Sequence, residues 1–333
     1  MTRAFQQPLR YATLGRPMSE RSHVFFSCDW GTTSFRLRLV ENRKVLKEYS
    51  DSTGCRALYD GSSNHVARQE AFQNHLRKVL ESWGTVSPSP LPLLISGMAS
   101  STIGWKELAY APLPLRLTAS NLRVEQMDWL APSIVEKTFL VSGAASETEM
   151  MRGEETEAIG LFQLLPAPPH RATLILPGTH SKHLSVADGS ITKIETFMTG
   201  ELFELLSKQS VLRASIDPSA PLDDMAFKNG LDRVRAHGVP SSLFQTRTRQ
   251  VLGKNSLASN ASFLSGLLIG AELTTLRAAG DILIARPNSV RDLYALAAKH
   301  LGLTPTHVFS AEEVQLAVPT AHELILSRIV KSA

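Results

Sequence analysis

The sequence predicts an α/β protein made of two similar halves. Three observations support this fold class: a β-hairpin with a polar tip at residues 24–40, a hairpin of the same kind at 172–186, and strand and helix segments after each hairpin. In the second half these segments alternate, which implies a largely parallel sheet covered on both faces. The duplicated pattern predicts two domains whose hairpin tips face one another across a cleft.

The composition is that of a folded globular protein. With 333 residues, the chain is long enough for two domains of roughly 150 residues each. No window approaches the ~20 uninterrupted apolar residues that a membrane span needs. The net charge of +4 comes from scattered basic residues, which argues against nucleic acid as a partner and permits an anionic small molecule.

Cysteine content and the N-terminal segment bear on location and boundaries. Cys28 and Cys55 form no CxxC pair, so a reducing cytoplasm is the expected compartment. Residues 1–21 lack the apolar core of a secretory signal and predict a disordered leader, and Met18 leaves open whether residues 1–17 belong to the native protein. We expect an N-terminal domain over residues 22–172 and a C-terminal domain over 173–333.

The first hairpin joins two apolar runs through a short polar tip. Gly31 can adopt backbone angles that other residues avoid, and Thr32 and Thr33 offer hydroxyl and N–H groups. Successive N–H donors suit a phosphate, and Asp29 beside them would need Mg²⁺ between its carboxylate and that phosphate. An ordinary Asx/Gly turn explains the same residues, so phosphate binding requires a matching second site.

A matching tip occurs in the second hairpin. Gly178 frees the backbone there, Thr179 offers a hydroxyl, and Lys182 adds a positive charge suited to phosphate. His180 and His183 have no third ligand nearby in the sequence, which disfavours a metal site. The second tip therefore predicts a second phosphate-binding loop.

Two segments between the hairpins are candidates for ligand binding and catalysis. The predicted strand 93–95 ends in the small, hydroxyl-rich stretch 96–101, and α/β folds place ligands at such strand ends. Glu154 and Glu155 follow Gly153 at a predicted helix start, where either could act as a general base. A loop without a ligand and ordinary helix-start chemistry are the alternatives.

Two helices of the second half also bear on the site. Thr199 is a predicted N-cap of the helix that follows the second hairpin. The segment 259–278 is the longest helical pattern and places Gly266 and Gly270 on one face. Because a glycine inside a helix costs about 0.5–1 kcal/mol relative to Ala, we expect a close approach there. A neighbouring helix and an adenine ring explain this approach equally well.

Two phosphate-binding tips at a cleft favour phosphoryl transfer. The chemistry needs nucleotide phosphates held from two sides, Mg²⁺ near an acid, and an acceptor hydroxyl in line. The sequence contains neither a Walker A motif nor a Rossmann GxGxxG motif, which disfavours P-loop kinases and dinucleotide enzymes.

Six ordered motifs lie between about residues 23 and 330. They are Asp29-Trp30-Gly31-Thr32-Thr33, Ser96-Gly97-Met98 with Gly104-Trp105, Met151-Arg152-Gly153-Glu154-Glu155-Thr156, Leu176-Pro177-Gly178-Thr179-His180-Ser181-Lys182, Met198-Thr199-Gly200-Glu201-Leu202 and Phe263-Leu264-Ser265-Gly266-Leu267-Leu268-Ile269-Gly270-Ala271-Glu272. Together they resemble the motifs of the 2-dehydro-3-deoxygalactonokinases, a family of the actin, Hsp70 and sugar kinase superfamily. The resemblance implies two ribonuclease H-like (actin-like ATPase) domains with an interdomain cleft. It also implies transfer of the ATP γ-phosphate to the 6-hydroxyl of 2-dehydro-3-deoxy-D-galactonate in galactonate catabolism.

The resemblance also implies roles by position. Asp29 is the implied Mg²⁺ ligand, and Glu154 or Glu155 is the implied base, because Gly153-Glu154-Glu155 is similar to the catalytic glutamate segment of exopolyphosphatases. Lys106 is the implied partner of the sugar-acid carboxylate. The implied phosphate contacts are Gly31, Thr32, Thr33, Gly178, Thr179 and Lys182. The other implied residues are Ser96, Met98, Trp105, Lys106 and Thr199 for the sugar acid, and Gly266, Gly270 and Arg286 for adenosine.

The C-terminal region departs from the superfamily pattern. A Gly-rich turn that lets adenosine approach is replaced by Arg286-Pro287-Asn288-Ser289, where Arg286 either stacks on adenine or weakens the pocket. The last helix is predicted to begin near Val318-Pro319-Thr320-Ala321, without the usual Gly entry. Nucleotide preference therefore stays open. The sequence also leaves open whether the substrate is the galactonate or the gluconate epimer, and whether the protein forms a homodimer.

Two other functions fit the same motifs. An exopolyphosphatase-like hydrolase would use Glu155 to activate water in place of a sugar hydroxyl. A non-catalytic member of the fold would bind ATP as a conformational or scaffolding module. Asp29, Lys182 and the two glutamates, all present here, argue against the non-catalytic alternative.

Overall fold

A computed structural model describes residues 24–59, 61, 65–129, 133–276, 280–285 and 289–332. The predicted leader 1–21 and Arg286 lie outside these residues. The described chain is an α/β fold with two six-stranded sheets and one three-stranded sheet. No helix in the described ranges is long and apolar enough to cross a membrane.

The first sheet begins with an antiparallel meander and continues with parallel strands. Its order is β3-β2-β1-β4-β8-β7, and β4 and β8 run parallel to β1. Phe25 and Phe26 are consecutive residues of β1 but belong to different core clusters, as expected for a strand buried on both faces. The strands are β1 Val24–Trp30, β2 Phe35–Glu41, β3 Lys44–Asp51, β4 Leu91–Gly97, β7 Val124–Met127 and β8 Val135–Val141.

The second sheet repeats this order. A meander of β11, β12 and β13 is followed by β14 and β15, which run parallel to β11. Three antiparallel strands with two parallel strands beside the first are the ribonuclease H-like arrangement, so the predicted fold class is confirmed. The strands are β11 Arg171–Leu176, β12 Ser181–Ala187, β13 Ser190–Phe197, β14 Asp281–Ile284 and β15 His307–Val308.

Three short strands and one added edge complete the sheets. β6, residues Leu115–Arg116, comes from the first half of the chain but pairs with β13 in the second sheet. A simple division at residue 172 therefore does not separate the strands of the two sheets, and the domain boundaries stay a prediction. The three-stranded sheet contains β5 Ala111–Pro112, β9 Ala144–Ala145 and β10 Met150–Met151.

Ten helices lie in the described ranges, and local signals explain several of their ends. The Asp223 side chain accepts a hydrogen bond from the Ala226 N–H at the start of α5, and Gly238 ends that helix with φ +72°. The helices are α1 Cys55–Leu58, α2 His65–Ser82, α3 Glu154–Leu164, α4 Thr199–Lys208, α5 Asp224–His237, α6 Pro240–Leu243, α7 Gln245–Val251, α8 Leu257–Leu273, α9 Ser289–His300 and α10 Ala311–Ser332.

The last helix corrects two sequence predictions. At 22 residues, α10 is longer than α8, which has 17. It also begins at Ala311, and Pro319 lies inside it rather than at its entry. The proline misplaced the predicted start because a proline usually marks a helix boundary. The amphipathic pattern over residues 241–252 predicts a helix, and the structure has two short helices there, α6 and α7.

The largest core cluster joins both sheets. It contains Phe25 of the first sheet, Leu174 of the second, Ile159 of α3 and Ile325 of α10. The C-terminal helix thus packs beside α3, the helix that begins with the two candidate glutamates. A separate cluster packs α2 on the other face of the first sheet.

Candidate active site

The first hairpin tip is a tight turn beside Asp29. The Gly31 N–H donates to the Ser34 carbonyl at 2.8 Å. Thr33 is exposed and Thr32 is half-buried, so both lie at the surface of the tip. Asp29 lies within β1, opposite Arg36 of β2 and beside Ser96 of β4, two residues before Gly31. The strand therefore fixes the carboxylate while the turn presents the threonines.

Two glycines bring Asp29 close to the start of α3. Gly97 has φ +90° and Gly153 has φ +115°, backbone angles that L side chains rarely adopt. A Cβ on Gly97 would lie 2.7 Å from the Trp30 carbonyl oxygen and 3.5 Å from Asp29 Oδ1. A Cβ on Gly153 would lie 3.4 Å from Gly97 Cα. The structure therefore brings Gly97 next to both Asp29 and Gly153, the residue before the two glutamates, although these segments are far apart in sequence.

The two glutamates differ in exposure. Glu154 is half-buried, and its Oε2 accepts the Arg152 backbone N–H at 3.0 Å. Glu155 is fully buried and accepts the Gly153 N–H and the Thr156 hydroxyl. Burial, reinforced by the charge of Glu154, raises the pKa of Glu155 to about 8. Glu155 is therefore protonated at neutral pH and enclosed, whereas Glu154 reaches the surface of the site.

The second hairpin tip packs against the start of α4. The Glu201 N–H donates to the Thr179 carbonyl at 3.0 Å, and a Cβ on Gly200 would lie 2.5 Å from the Gly178 carbonyl oxygen. Thr179 is exposed at this tip. His180 also lies here, with its Nε2 2.5 Å from Glu201 Oε2. The His180 ring is thus in contact with a carboxylate of α4, a contact that the sequence did not predict.

Lys182 connects the second hairpin to the glutamate segment. Its buried ammonium donates to the Met150 carbonyl at 2.9 Å and to Thr196 Oγ1 at 2.8 Å. The Thr196 hydroxyl in turn donates to Glu149 Oε2 at 2.6 Å. Lys182 thus contacts the residues just before Arg152, and its predicted phosphate contact stays a prediction.

Sequence reasoning missed a buried carboxylate behind the second tip. Glu272 of α8 is 2% exposed and accepts four side-chain hydrogen bonds from three other elements. Glu272 is the single ionisable residue of α8, and a lone carboxylate in such an apolar helix was the available signal. The donors are Ser181 and His183 of β12, Thr199 of α4 and Tyr294 of α9.

Three of the residues predicted for the sugar acid lie in the protein interior. Ser96 is 0% exposed, and Trp105 is 1% exposed and packs with Trp129 at 5.5 Å between ring centroids. The Thr199 hydroxyl donates to Glu272, and Met198, not Thr199, is the N-cap of α4. Trp105 and Thr199 therefore contact other residues of the protein, and direct contact with a substrate stays a prediction for all three.

Two other residues predicted for the sugar acid are more accessible. Met98 is half-buried just after Gly97, at the end of β4, and is the remaining candidate of that set for the pocket. Lys106 forms an ion pair with Glu125, and both side chains are partly exposed. The Glu125 carboxylate already balances the positive charge of Lys106, which makes Lys106 a weaker candidate for binding the substrate carboxylate.

The two glycines predicted to contact adenosine pack against a neighbouring helix. A Cβ on Gly266 would lie 2.1 Å from the Phe227 carbonyl oxygen, and one on Gly270 would lie 2.7 Å from Val234 Cγ1. Both positions therefore face α5, which occupies the space that an adenine ring would need. The third candidate, Arg286, lies outside the described residues.

Asp29 is the candidate metal ligand beside the first tip. The described ranges contain no group of three His, Cys, Asp or Glu residues that could hold a metal. Mg²⁺ commonly uses one or two carboxylates, completed by substrate phosphates and water. Asp29, fixed at the end of β1 beside the exposed tip, is suited to that role.

Comparison with known proteins places this architecture in a family. The model of the 2-keto-3-deoxy-galactonokinase family matches residues 29–318. A protein of Rhizobium meliloti (strain 1021), named as a 2-dehydro-3-deoxygalactonokinase, is 29% identical over 90% of this chain and 97% of its own length. The 2-dehydro-3-deoxygalactonokinase of Escherichia coli (strain K12) is 30% identical over 76% of this chain and 80% of its own length.

A solved structure agrees with these sequence matches. The crystal structure of a Sinorhizobium meliloti protein, described as a 2-dehydro-3-deoxygalactonokinase, superposes with a TM-score of 0.75 and 27% identity, and covers 90% of this chain and 99% of that one. The family match spans both hairpin tips, the glutamate segment and Glu272. The chain therefore belongs to the 2-keto-3-deoxy-galactonokinase family.

Proposed function

We propose that this protein is a sugar-acid kinase that transfers the ATP γ-phosphate to the 6-hydroxyl of 2-dehydro-3-deoxy-D-galactonate in galactonate catabolism. The observation that carries the proposal is the close approach of Gly97 both to Asp29 and to Gly153, the residue before Glu154. The names of the two bacterial relatives supply the substrate. In this proposal Asp29 is the metal ligand and Glu154 is the base for the acceptor hydroxyl.

In this proposal each hairpin tip binds phosphate. Thr32 and Thr33 contact the terminal phosphates from one side, and Gly178 and Thr179 contact them from the other. Asp29 would hold Mg²⁺, which would neutralise phosphate charge. Positioning these groups before the reaction, together with electrostatic stabilisation, provides most of the catalysis in phosphoryl transfer.

The proposed base is Glu154. It is half-buried at the first turn of α3, whereas Glu155 is enclosed and carries its own proton at neutral pH. Glu154 accepts the proton of the 6-hydroxyl as that oxygen attacks the phosphate. Glu155 positions the start of α3 through its hydrogen bonds from the Gly153 N–H.

The proposed compartment is the cytoplasm. Cys28 and Cys55 are both buried and unbridged, as expected for a protein kept in reducing surroundings. Burial raises the pKa of both thiols, so neither is a reactive thiolate at neutral pH.

A coupled ADP-release assay tests the proposal. It contains ATP, Mg²⁺ and either the 2-dehydro-3-deoxy acid of galactonate or that of gluconate, with a control that lacks any acceptor. We expect turnover with the galactonate-derived acid and at most slow ADP release without an acceptor. Release that does not depend on the acid would support the phosphohydrolase, and ATP binding without turnover would support the non-catalytic module.

A further inference from the structure

Arg152 is a cation beside the proposed base that has no carboxylate partner in the described part of the chain. Its backbone N–H is bonded to Glu154, but its guanidinium turns to the segment 98–110. The residue is half-buried, so its charge is only partly hydrated. An uncompensated charge in such a place is costly unless an anion completes it.

Neutral groups hold the guanidinium in one orientation. Nη1 donates to the Ser100 carbonyl and, at 2.8 Å, to the Ser100 hydroxyl, while Nη2 donates to the Leu108 carbonyl at 3.2 Å. Nε lies 3.4 Å from the Tyr110 hydroxyl oxygen, and the Tyr110 ring lies 4.0 Å from Cζ. Four of the five N–H groups that a guanidinium carries are thus engaged. One Nη2–H remains without an acceptor among the described residues.

Other cations near the site are already committed. Lys106 is paired with Glu125. Lys182 enters from the second hairpin and contacts Met150 and Thr196. The Arg152 guanidinium instead bonds to Ser100, Leu108 and Tyr110, which follow β4 in the first half of the chain. Arg152 and Lys182 therefore reach the glutamate segment from different halves of the chain.

We propose that Arg152 binds the carboxylate of the sugar acid and so makes the site selective for acids over neutral sugars. The inference rests on the proposed function. A 2-dehydro-3-deoxy acid carries its carboxylate at C1 and the reacting hydroxyl at C6, so its two ends need two different protein groups. Arg152 and Glu154, two residues apart, supply a cation and a base. A charge-assisted bond to the free Nη2–H also satisfies the guanidinium.

The test compares two acceptors that differ at C1 alone: the 2-dehydro-3-deoxy acid, whose carboxylate is charged, and its neutral primary carboxamide. The kcat/KM of each is measured for the wild type, Arg152→Met and Arg152→Lys. We expect Arg152→Met to lower kcat/KM about 10- to 100-fold for the acid, as loss of a charged hydrogen bond does, and less than threefold for the amide. Arg152→Lys should restore part of the preference for the acid, because it restores the charge.

Arg68→Met is the matched control. Arg68 also donates to a carbonyl of the same loop, that of Thr102, at 2.9 Å, and lies over a tyrosine ring, Tyr59. Its guanidinium also lies 2.7 Å from His65 Nδ1. Arg68→Met should change kcat/KM for both acceptors by the same factor, because Arg68 lies on α2 and its side chain has no hydrogen bond to the glutamate segment among the described residues. Lys106→Met tests the rival carboxylate partner and should leave the acid-to-amide ratio within twofold.

The outcomes separate the two proposals. A wild type that phosphorylates neither acceptor rejects the sugar-acid kinase and the inference with it. If the wild type prefers the acid but Arg152→Met lowers kcat/KM equally for both acceptors, the Arg152 assignment alone is rejected. Loss of the preference in Lys106→Met also rejects it. If Arg152→Met does not fold, as judged by circular dichroism, an unchanged acid-to-amide ratio in Arg152→Lys decides against it.

Discussion

Burial of Glu155 links the stability of the protein to pH. Its pKa is about 8 in the folded protein and 4.5 in its ordinary state. Between these values the folded state keeps a proton that the unfolded state has released, so stability falls as pH rises, by up to about 1.4 kcal/mol per pH unit. Glu155→Gln keeps a neutral acceptor for the Gly153 N–H and removes this dependence. In urea unfolding from pH 5 to 8, we expect the free energy of unfolding of the variant to rise steadily relative to that of the wild type.

His322 provides a control of opposite sign. Burial, and then the charge of Arg38, lower its pKa from 6.5 to about 3. Below pH 6.5 the unfolded state gains a proton that the folded state refuses, so this residue makes stability rise with pH between about 3 and 6.5. The free energy of unfolding of His322→Asn should therefore rise relative to that of the wild type as pH falls from 6.5 to about 3. A gain of both variants in the same pH direction would contradict the two assignments.

The exposure of the two glutamates predicts different kinetic effects. Glu154→Gln removes the proposed base, and we expect kcat to fall about 10²- to 10⁴-fold with KM for ATP little changed. Glu155→Gln should lower kcat less than tenfold at pH 7, because the native group is already neutral there. Steady-state kinetics of both variants decides whether Glu154 or Glu155 is the base. If turnover of both variants stays within about threefold of the wild type, neither glutamate is the base.

At the scale of elements, Glu272 holds four of them together behind the second tip. A Gln there would replace one charged acceptor oxygen by an N–H₂ group that faces the donors of β12, α4 or α9. Unsatisfied buried donors cost about 1–3 kcal/mol each, so we expect Glu272→Gln to lower the free energy of unfolding by roughly 2–4 kcal/mol.

Glu204→Gln is the matched control for that change. Glu204 lies on α4 in an exposed pair with Lys208, 2.9 Å apart, and such pairs contribute about 0.3–0.5 kcal/mol. Chemical unfolding of both variants measures the difference. Equal destabilisation would show that the four hydrogen bonds onto Glu272 contribute no more than one surface pair.

The same elements show what sequence could predict. The meanders of both sheets and the start of α3 follow from local patterns: period-two apolar residues, and acidic residues after Gly153. The β6 edge, only two residues long, carries no such pattern because its partner lies far away in sequence. The burial of Trp105 and Thr199 could not be predicted either, since a tryptophan or threonine near a ligand-binding motif looks the same in sequence whether it faces a pocket or the core.

At the scale of the whole molecule, the two halves are joined at several places. β6 enters the second sheet, α10 packs in the cluster that contains α3, and Lys182 donates to the Met150 carbonyl. A ligand held between the hairpin tips would therefore stabilise both halves together. Binding to the folded state alone adds about 2.7 kcal/mol when the ligand is at 100 times its Kd.

We therefore expect ATP with Mg²⁺ to raise the melting temperature, and ATP with EDTA to raise it much less, because phosphate charge then faces the Asp29 carboxylate without a cation between them. Asp29→Asn should lose most of the difference between the two conditions, since its amide repels phosphate less and binds Mg²⁺ weakly. Glu154→Gln should keep the difference, because the proposed base acts on the acceptor hydroxyl. Thermal unfolding by differential scanning fluorimetry measures all three proteins, and a shift independent of Mg²⁺ in the wild type would argue against Asp29 as the metal ligand.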